Sequence, residues 1–221
     1  KVAEKIELPA DIAPKGSFIQ DVAIDEKNGW VYLADIANPG IIALNLKTKK
    51  ARRFSGHSAL QTEDVDMIIN GKVIDFGGKP SRVGINPITL SDDRETLFFG
   101  SMNGTAWYEI PARLFRENKD DNTIGNSIKK FGEKPVSDGV ATDKQGNHYI
   151  TNLGGHGISK LDKNGKLTEL IKDPKLQWPD NIAVTDDGYL YISVNQLHTT
   201  TAFSGQPDAG KPPYFIYRIK L

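Results

Sequence analysis

A short motif occurs four times in the chain: a polar residue lies two positions before a short apolar strand that leads into a turn. The four polar residues are Gln20, Asn86, Asp138 and Asp180. The strands that follow them start 66, 52 and 42 residues apart, which compares with about 40 to 50 residues in common propeller blades. Because every copy of an internal repeat builds the same supersecondary unit, this motif constrains the fold more than any other feature.

Each copy of the repeat continues in the manner of a β-sheet. Turn residues follow the first strand, and the second strand is rich in aromatic and β-branched residues, as in Trp30 to Leu33. A third strand comes next, and in the third copy Asn164-Gly165 indicates a tight hairpin turn to a fourth. Four strands per repeat, stacked radially, form a β-propeller. The sequence therefore predicts an all-β propeller with about four blades in this chain.

The repeat also predicts the domain organisation, which is a single propeller domain over residues 1–221. The predicted blades are 17–54, 85–131, 136–172 and 178–221, and 55–84 is an insertion with a hairpin at Asn70-Gly71. Residues 1–8 alternate like an outer strand, and we expect them to end a preceding blade. After Pro111 we expect one helical turn and then irregular structure. An open ring exposes sheet faces, so additional N-terminal blades or a partner chain are needed to close it.

Composition excludes several classes of function. The chain has 28 basic and 28 acidic residues and no basic stripe, which argues against binding to nucleic acid. It has no apolar run of the roughly 20 residues that a membrane-spanning helix requires. Without cysteine it has no disulfide, no thiolate metal site and no cysteine nucleophile. It lacks the glycine-rich phosphate loop and the dinucleotide fingerprint, and we expect neither a nucleotide nor a haem cofactor.

The four polar residues of the repeat are the candidate site. Because the inner strands of all blades run in the same direction along the channel, their first residues converge at one mouth. Oxygen atoms from Asn86, Asp138 and Asp180 suit a hard cation such as Ca²⁺, the candidate cofactor. The same residues are also suited to accept backbone N–H groups in Asx-turns, or to contact an organic ligand. Two adjacent carboxyl groups without a cation would raise one pKa and create a possible acid or base.

Several segments carry a resemblance to a known family. They are Pro14 to Asp25, Ser55 to Ser58, Arg82 to Ser91 and Asn195-Gln196-Leu197. Together they resemble the yellow and major royal jelly protein family, especially its bacterial members. The resemblance implies a six-bladed propeller of which about two N-terminal blades are absent from this chain. Insect members are secreted, so the resemblance also implies an extracytoplasmic protein, either secreted or periplasmic.

The same resemblance suggests ligand contacts. Some family members bind biogenic amines in the central cavity, and others are linked to the melanin pathway. Loops equivalent to the one that contains Asn195 and His198 rim this cavity, so these two residues are candidate ligand contacts. Gln20 and Asp21, at the start of the first inner strand, are further candidates. A structural or exposed role for His198 stays open, because no two histidines have metal-ligand spacing on one element.

A second resemblance concerns only the channel axis. The segment Trp178 to Val184 is similar to paraoxonases and gluconolactonases, six-bladed propellers that hold a divalent ion with Asn, Asp and Glu side chains. The resemblance implies that Asp180 and Asn181 are metal ligands, with Asn86 and Asp138 at the equivalent register of the preceding blades. Gln20 departs from that pattern, because an amide is a poorer ligand than a carboxylate.

Three functions remain open from the sequence. The first is a propeller that binds a small organic molecule, such as an aromatic amine, in its channel, with Asp138 and Asp180 paired to the ammonium group. The second is a calcium-dependent hydrolase of lactones or esters, in which the ion polarises the carbonyl group. The third is a platform for protein interactions, a common use of propeller faces. Whether the protein is an enzyme is therefore undecided at this stage.

Overall fold

Four antiparallel sheets follow one another along the chain in the computed structural model, which describes residues 2–221. Blade 1 contains β1 (Ile19–Asp25), β2 (Trp30–Asp35), β3 (Gly40–Asn45) and β4 (Ala51–Ser55). The next two sheets also have four strands, whereas the described part of the fourth has three. These four sheets are blades of a β-propeller, as the repeat predicts.

The strands of the other blades alternate with loops and short helices. Blade 2 contains β9 (Ile85–Leu90), β10 (Thr96–Ser101), β11 (Ala106–Pro111) and β12 (Lys129–Glu133). Blade 3 contains β13 (Val140–Thr142), β14 (His148–Asn152), β15 (Gly157–Leu161) and β16 (Leu167–Lys172). Blade 4 contains β17 (Pro179–Val184), β18 (Tyr189–Val194) and β19 (Ile216–Lys220).

The segment between blades 1 and 2 folds into two short hairpins. Their strands are β5 (Ile68–Ile69), β6 (Lys72–Val73), β7 (Asp75–Phe76) and β8 (Lys79–Pro80). The hairpin predicted at Asn70-Gly71 is confirmed, since both residues have the positive φ angles, 54° and 73°, of a tight turn. The second hairpin turns at Gly77-Gly78, which also have positive φ.

Short helices lie outside the sheets. They are α1 (Arg113–Arg116) and α2 (Asp121–Asn126) between β11 and β12, and α3 (Thr201–Ser204) before β19, with single 3₁₀ turns at Ser58–Leu60 and Leu197–Thr199. The helical turn expected after Pro111 is present as α1, but α2 replaces the irregular structure expected there. Asp120 caps α2 by accepting the N–H of Thr123 at 2.9 Å, and Ile124 anchors it in the core. None of the helices within residues 2–221 is long and apolar enough to cross a membrane.

The N-terminal segment differs from the sequence-based expectation. Residues 2–8 adopt no regular secondary structure, whereas a strand was expected over 1–8; Lys1 lies outside the described residues. A strand requires a neighbour to share its backbone hydrogen bonds, and within residues 2–221 the strands of blade 1 pair only with each other. The segment is instead fixed by side chains, with Glu4 Oε2 2.7 Å from Lys49 Nζ.

Apolar clusters between the blades hold the propeller together. Tyr32 and Phe99 are fully buried between blades 1 and 2, and Trp107 and Leu161 between blades 2 and 3. A third cluster, around Ile192, joins blades 3 and 4. Each such side chain contributes about 2 kcal/mol on burial, so adjacent blades are fixed firmly against each other.

The inner strands β1, β9, β13 and β17 lie side by side around a channel of about 340 Å³. A fourth apolar cluster covers the side on which these strands begin, and it includes Met67, Leu153 and Trp178. We call this side the polar mouth, because the four polar residues of the repeat lie there. The opposite side, where the inner strands end in turns, is the turn mouth.

Candidate functional site

Irregular strand pairing shapes the polar mouth. The register between β1 and β2 shifts between Ile19 and Asp21, so Gln20 is bulged out of the ladder. A similar shift in β17 spans Asp180 and Asn181. Bulges turn side chains away from the regular alternation and are frequent beside functional sites. Here they direct Asp21, in addition to Gln20, towards the other blades, and Asp21 Oδ2 accepts the N–H of Ile88 at 3.1 Å.

Asp138 is the most buried carboxyl group of the mouth, with 3% of the residue exposed. Asn86 Nδ2 donates to its Oδ1 at 2.5 Å, and the indole Nε1–H of Trp178 donates to its Oδ2 at 2.6 Å. Thr151 Oγ1 accepts the backbone N–H groups of Asp138 and Gly139 at 2.9 and 3.0 Å. Three blades therefore fix the position of one carboxyl group.

Asp180 lies on the next inner strand, and Asn195 Nδ2 donates to its Oδ2 at 2.7 Å. The strand carrying Asp138 approaches this strand very closely. A Cβ atom on Gly139 would lie 2.0 Å from the carbonyl oxygen of Asp180, so only glycine fits at this position. The close approach brings the Asp138 and Asp180 side chains to one small cavity of about 40 Å³.

We call Asp21, Asp138 and Asp180 the Asp cage, because all three line this cavity. Burial, together with the neighbouring Asp180 carboxyl, raises the pKa of Asp138 to about 7. Burial also raises the pKa of Asp180, and it raises that of Asp21 to about 6. Among residues 2–221, no basic side chain forms an ion pair with any member of the cage. The cage is thus an uncompensated cluster of carboxyl groups that favours a cation or a proton.

The proposed metal ligands lie at this mouth, but their oxygen atoms are already engaged. Both oxygens of Asp138 and one of Asp180 accept side-chain N–H groups. Asn86 Oδ1 is buried without a partner and is therefore a candidate ligand atom. Asn181 is exposed and lines both the cavity and the channel. Within the described residues, no three His, Cys, Asp or Glu side chains are arranged to hold a metal ion. A calcium ion would need amide and water oxygens as well.

The predicted ligand contacts lie at different distances from the cage. Gln20 lines the cavity although its residue surface is exposed, and Asn195 reaches the cage through Asp180. His198 does not line the cavity, but its ring lies parallel to that of Trp178 with 6.3 Å between centroids. Asp21 accepts two backbone N–H groups, but they come from the adjacent Val22 and from Ile88 of blade 2, so it forms no Asx-turn. The Asx-turn interpretation does not fit Asp138 or Asp180 either, because the donors to their carboxyl groups are side chains.

Trp178 is the site residue that sequence reasoning missed. It is fully buried, and its φ of 57° lies in the left-handed region that large side chains rarely adopt. This backbone aims the indole N–H at Asp138, and strained residues of this kind cluster at functional sites. Its place directly before Pro179 and Asp180 was the available signal, but nothing in the sequence indicates the left-handed conformation.

Comparison with solved structures supports the propeller architecture. The chain is similar to virginiamycin B lyase from Staphylococcus aureus, with a TM-score of 0.53 and 15% identity over 80% of this chain and 49% of that one. It is similar to hydrazine synthase from Kuenenia stuttgartiensis, with a TM-score of 0.55 and 10% identity over 93% of this chain and 49% of that one. It is also similar to a gluconolactonase from Xanthomonas campestris, with a TM-score of 0.53 and 14% identity over 80% of this chain and 55% of that one. At these identities the likeness shows the fold alone.

The chain spans about half the length of these structures. No curated protein matches its sequence significantly. The family model described as major royal jelly protein matches residues 1–218, which is nearly all of the chain. That match agrees with the resemblance seen in the motifs of the sequence, and the chain belongs to the major royal jelly protein family.

Proposed function

We propose that the protein binds a small organic cation, such as a primary amine, with its ammonium group in the Asp cage. The observation that carries this proposal is a group of three carboxyl groups, that of Asp138 buried and those of Asp21 and Asp180 half-buried, without a basic partner within residues 2–221. An ammonium group donates charge-assisted hydrogen bonds and compensates for the desolvation that now raises the pKa of each carboxyl group.

The size of the cavities supports an amine with an apolar body. The cage cavity of about 40 Å³ holds a cationic group but not a ring. It adjoins the channel of about 340 Å³, because Asp21, Val140 and Asn181 line both. Val22 and Ile24 lie in the channel wall, and these residues are 48% and 55% exposed. Their side chains offer apolar surface to the rest of the ligand. The ammonium group would lie in the cage and the body in the channel.

The test compares a cation with a neutral molecule of the same shape. Titration calorimetry with phenethylamine and with 2-phenylethanol at pH 8 separates the charge from the apolar body. We expect phenethylamine to bind at least about tenfold more tightly, since charge-assisted hydrogen bonds to a buried carboxylate contribute about 1.5 to 3 kcal/mol. Equal affinities, or no binding of the amine at millimolar concentration, would refute the proposal.

One observation favours a second candidate, a calcium-dependent hydrolase of lactones or esters. Asn86 Oδ1 is a buried oxygen without a hydrogen-bond donor, and it lies on the side chain that donates to Asp138. A cation in the cage would satisfy this oxygen together with the carboxylates. Support for this candidate would be a higher melting temperature with millimolar Ca²⁺ that Asp180→Ala abolishes. A second sign would be turnover of simple lactones that stops on addition of a chelator.

A further inference from the structure

Three connecting segments meet at the polar mouth beside the buried Trp178. They are the turn of the β5–β6 hairpin, the loop between β14 and β15, and the segment after β18, and all three contribute to one apolar cluster. Asn70, at the hairpin turn, contacts His156 in the second segment, with Asn70 Oδ1 2.9 Å from His156 Nε2. His198, in the third segment, has its ring parallel to that of Trp178. Two histidines thus lie at this mouth, and neither lines the cavity of the Asp cage.

A chain of amide groups fixes the position of the proton on the His156 ring. The chain starts at the carbonyl oxygen of Pro174, which can only accept, so the Gln177 atom 2.6 Å from it is the amide nitrogen. The oxygen of Gln177 then faces Asn70 and accepts from Asn70 Nδ2 at 3.4 Å. Asn70 Oδ1 therefore faces His156 and accepts the N–H of its Nε2. Since a neutral imidazole carries one proton, Nδ1 of His156 is a free lone pair.

Both histidines hold a buried ring nitrogen that lacks a hydrogen-bond partner within residues 2–221. The atom is Nδ1 in His156 and also Nδ1 in His198. Burial and the nearby His156 together lower the pKa of His198, so its ring is neutral at pH 7. With the proton of His198 on Nε2, its Nδ1 is a second free lone pair. A buried acceptor without a donor is destabilising, and a bound ion removes this cost.

The hydrogen bond to Asn70 is of the kind that accompanies metal-binding histidines. Such histidines almost always donate their other ring N–H to a carboxylate, a carbonyl oxygen or water, which fixes the tautomer and the ring. The backbone of His156 is a further sign, because its φ of 50° is left-handed although the position is not a glycine. Glycine would adopt this conformation without strain, whereas strained residues cluster at functional sites.

We propose that His156 and His198 bind a divalent transition-metal ion such as Zn²⁺ through their Nδ1 atoms, at a site separate from the Asp cage. Imidazole nitrogen suits Zn²⁺, Ni²⁺ and Cu²⁺, whereas Ca²⁺ prefers oxygen ligands. Two protein ligands leave the other coordination positions of the ion to water, so we expect weaker binding than at a structural zinc site with four protein ligands. The bound ion would join the loop between β14 and β15 to the segment after β18.

The test is titration calorimetry of the full chain with ZnCl₂ at pH 7, in which we expect one ion to bind per chain. His198→Ala and His156→Asn should each weaken binding at least about tenfold, because even the loss of a residue that only supports a metal ligand costs about 10-fold to 100-fold. Asparagine tolerates the left-handed backbone of position 156, which keeps that variant folded. His57→Asn is the matched control: it removes an imidazole elsewhere, can still cap the turn at Ser58–Leu60, and should leave Zn²⁺ binding unchanged.

A further variant separates this site from the cage. Asp180→Asn removes a cage carboxylate and should leave Zn²⁺ binding unchanged. The proposal is overturned if Zn²⁺ does not bind at submillimolar concentration, if binding survives both histidine substitutions, or if Asp180→Asn abolishes it. A loss in only one of two folded histidine variants would also overturn the pair. Failure of amine binding leaves the metal site standing, since the two sites share no residue.

Discussion

The two mouths of the channel carry aspartate at opposite ends of the same inner strand and place it in opposite environments. At the turn mouth Asp143, directly after β13, accepts the N–H groups of Gln145 and Asn147 at 2.9 and 2.8 Å. It also accepts the side-chain amide of Asn147 and the hydroxyl of Tyr149. At the polar mouth Asp138, just before β13, lies beside Asp180 and accepts two side-chain N–H groups.

The pKa values of these two residues move in opposite directions. Both carboxyl groups are largely shielded from water, and burial alone raises each pKa. For Asp143 the hydrogen bonds from Asn147, Tyr149 and Gln145 together outweigh burial, and its pKa is lowered. For Asp138 a second carboxyl group adds to burial, and its pKa rises to about 7. The hydrogen-bond donors at the turn mouth thus favour the charged form of Asp143, and this form stabilises the fold. At the polar mouth the surroundings of Asp138 disfavour its charged form, so the fold gains nothing from that charge.

The largest expected effect is the loss of amine binding when the cage charge is removed. Asp138→Asn keeps the size of the side chain and removes its negative charge. We expect the affinity for phenethylamine to fall at least about 100-fold, because a buried charge-assisted hydrogen bond is lost. Calorimetry measures the affinity. Asp143→Asn is the control at the other mouth and should change it less than about twofold; equal losses in both variants would remove the distinction between the mouths.

Stability should respond in the reverse order. Asp143→Ala leaves the donors of Gln145, Asn147 and Tyr149 without their acceptor, and we expect it to lower the free energy of unfolding by about 2 kcal/mol. Urea denaturation at pH 7 measures this change. The comparison is Asp138→Asn, which removes a charge that burial disfavours but turns an amide N–H₂ group towards one of the two donors, so we expect a smaller loss, below about 1 kcal/mol. A marked destabilisation by Asp138→Asn would mean that the cage serves the fold instead of a ligand.

The two mouths should also differ in their dependence on pH. Because the pKa of Asp138 is higher in the folded chain, its contribution to stability is complete below about pH 4 and is lost as the pH rises to about 7. The pKa of Asp143 is lowered, so its contribution is present above about pH 4 and is lost at lower pH.

Amine affinity should follow the ionisation of Asp138. An alkylammonium group stays charged over this range, and we expect its affinity to rise about tenfold from pH 6 to pH 8 as a carboxyl group of pKa about 7 ionises. Titrations at both pH values measure this rise. A flat profile would show that Asp138 is already ionised in the unliganded protein.

Local patterns made much of the fold predictable. The repeat, the hairpin at Asn70-Gly71 and the convergence of Asp138 and Asp180 on one mouth all follow from periodicity, turn chemistry and the common direction of inner strands. These features depend on residues that are close in sequence or related by the repeat.

The remaining features depend on contacts between distant residues. The close approach of Gly139 to Asp180 and the contact of the left-handed Trp178 with Asp138 each join two parts of the ring. The bulge at Gln20 lies within blade 1, where β1 pairs with β2, and no local pattern indicates it. The helix α2 was missed for a related reason: its sequence is polar, and the burial of Ile124 against blade 1 and α1 holds it in place. The expected strand over residues 1–8 had the right alternation but lacks a partner strand.

The smallest expected effect concerns an aspartate with turn-mouth geometry but little burial. Asp93, in the turn after β9, accepts the N–H of Glu95 at 3.0 Å and the hydroxyl of Ser91 at 2.6 Å, and these bonds lower its pKa as in Asp143. It is exposed, so water replaces the carboxylate when it is removed. We expect Asp93→Ala to lower the melting temperature by only about 1 to 2 °C, well below the shift for Asp143→Ala in the same thermal scans. If the two shifts were equal, hydrogen bonding alone would set the effect of a turn-mouth aspartate. Unequal shifts would show that donors and burial act together there, as burial and a like charge do at the cage.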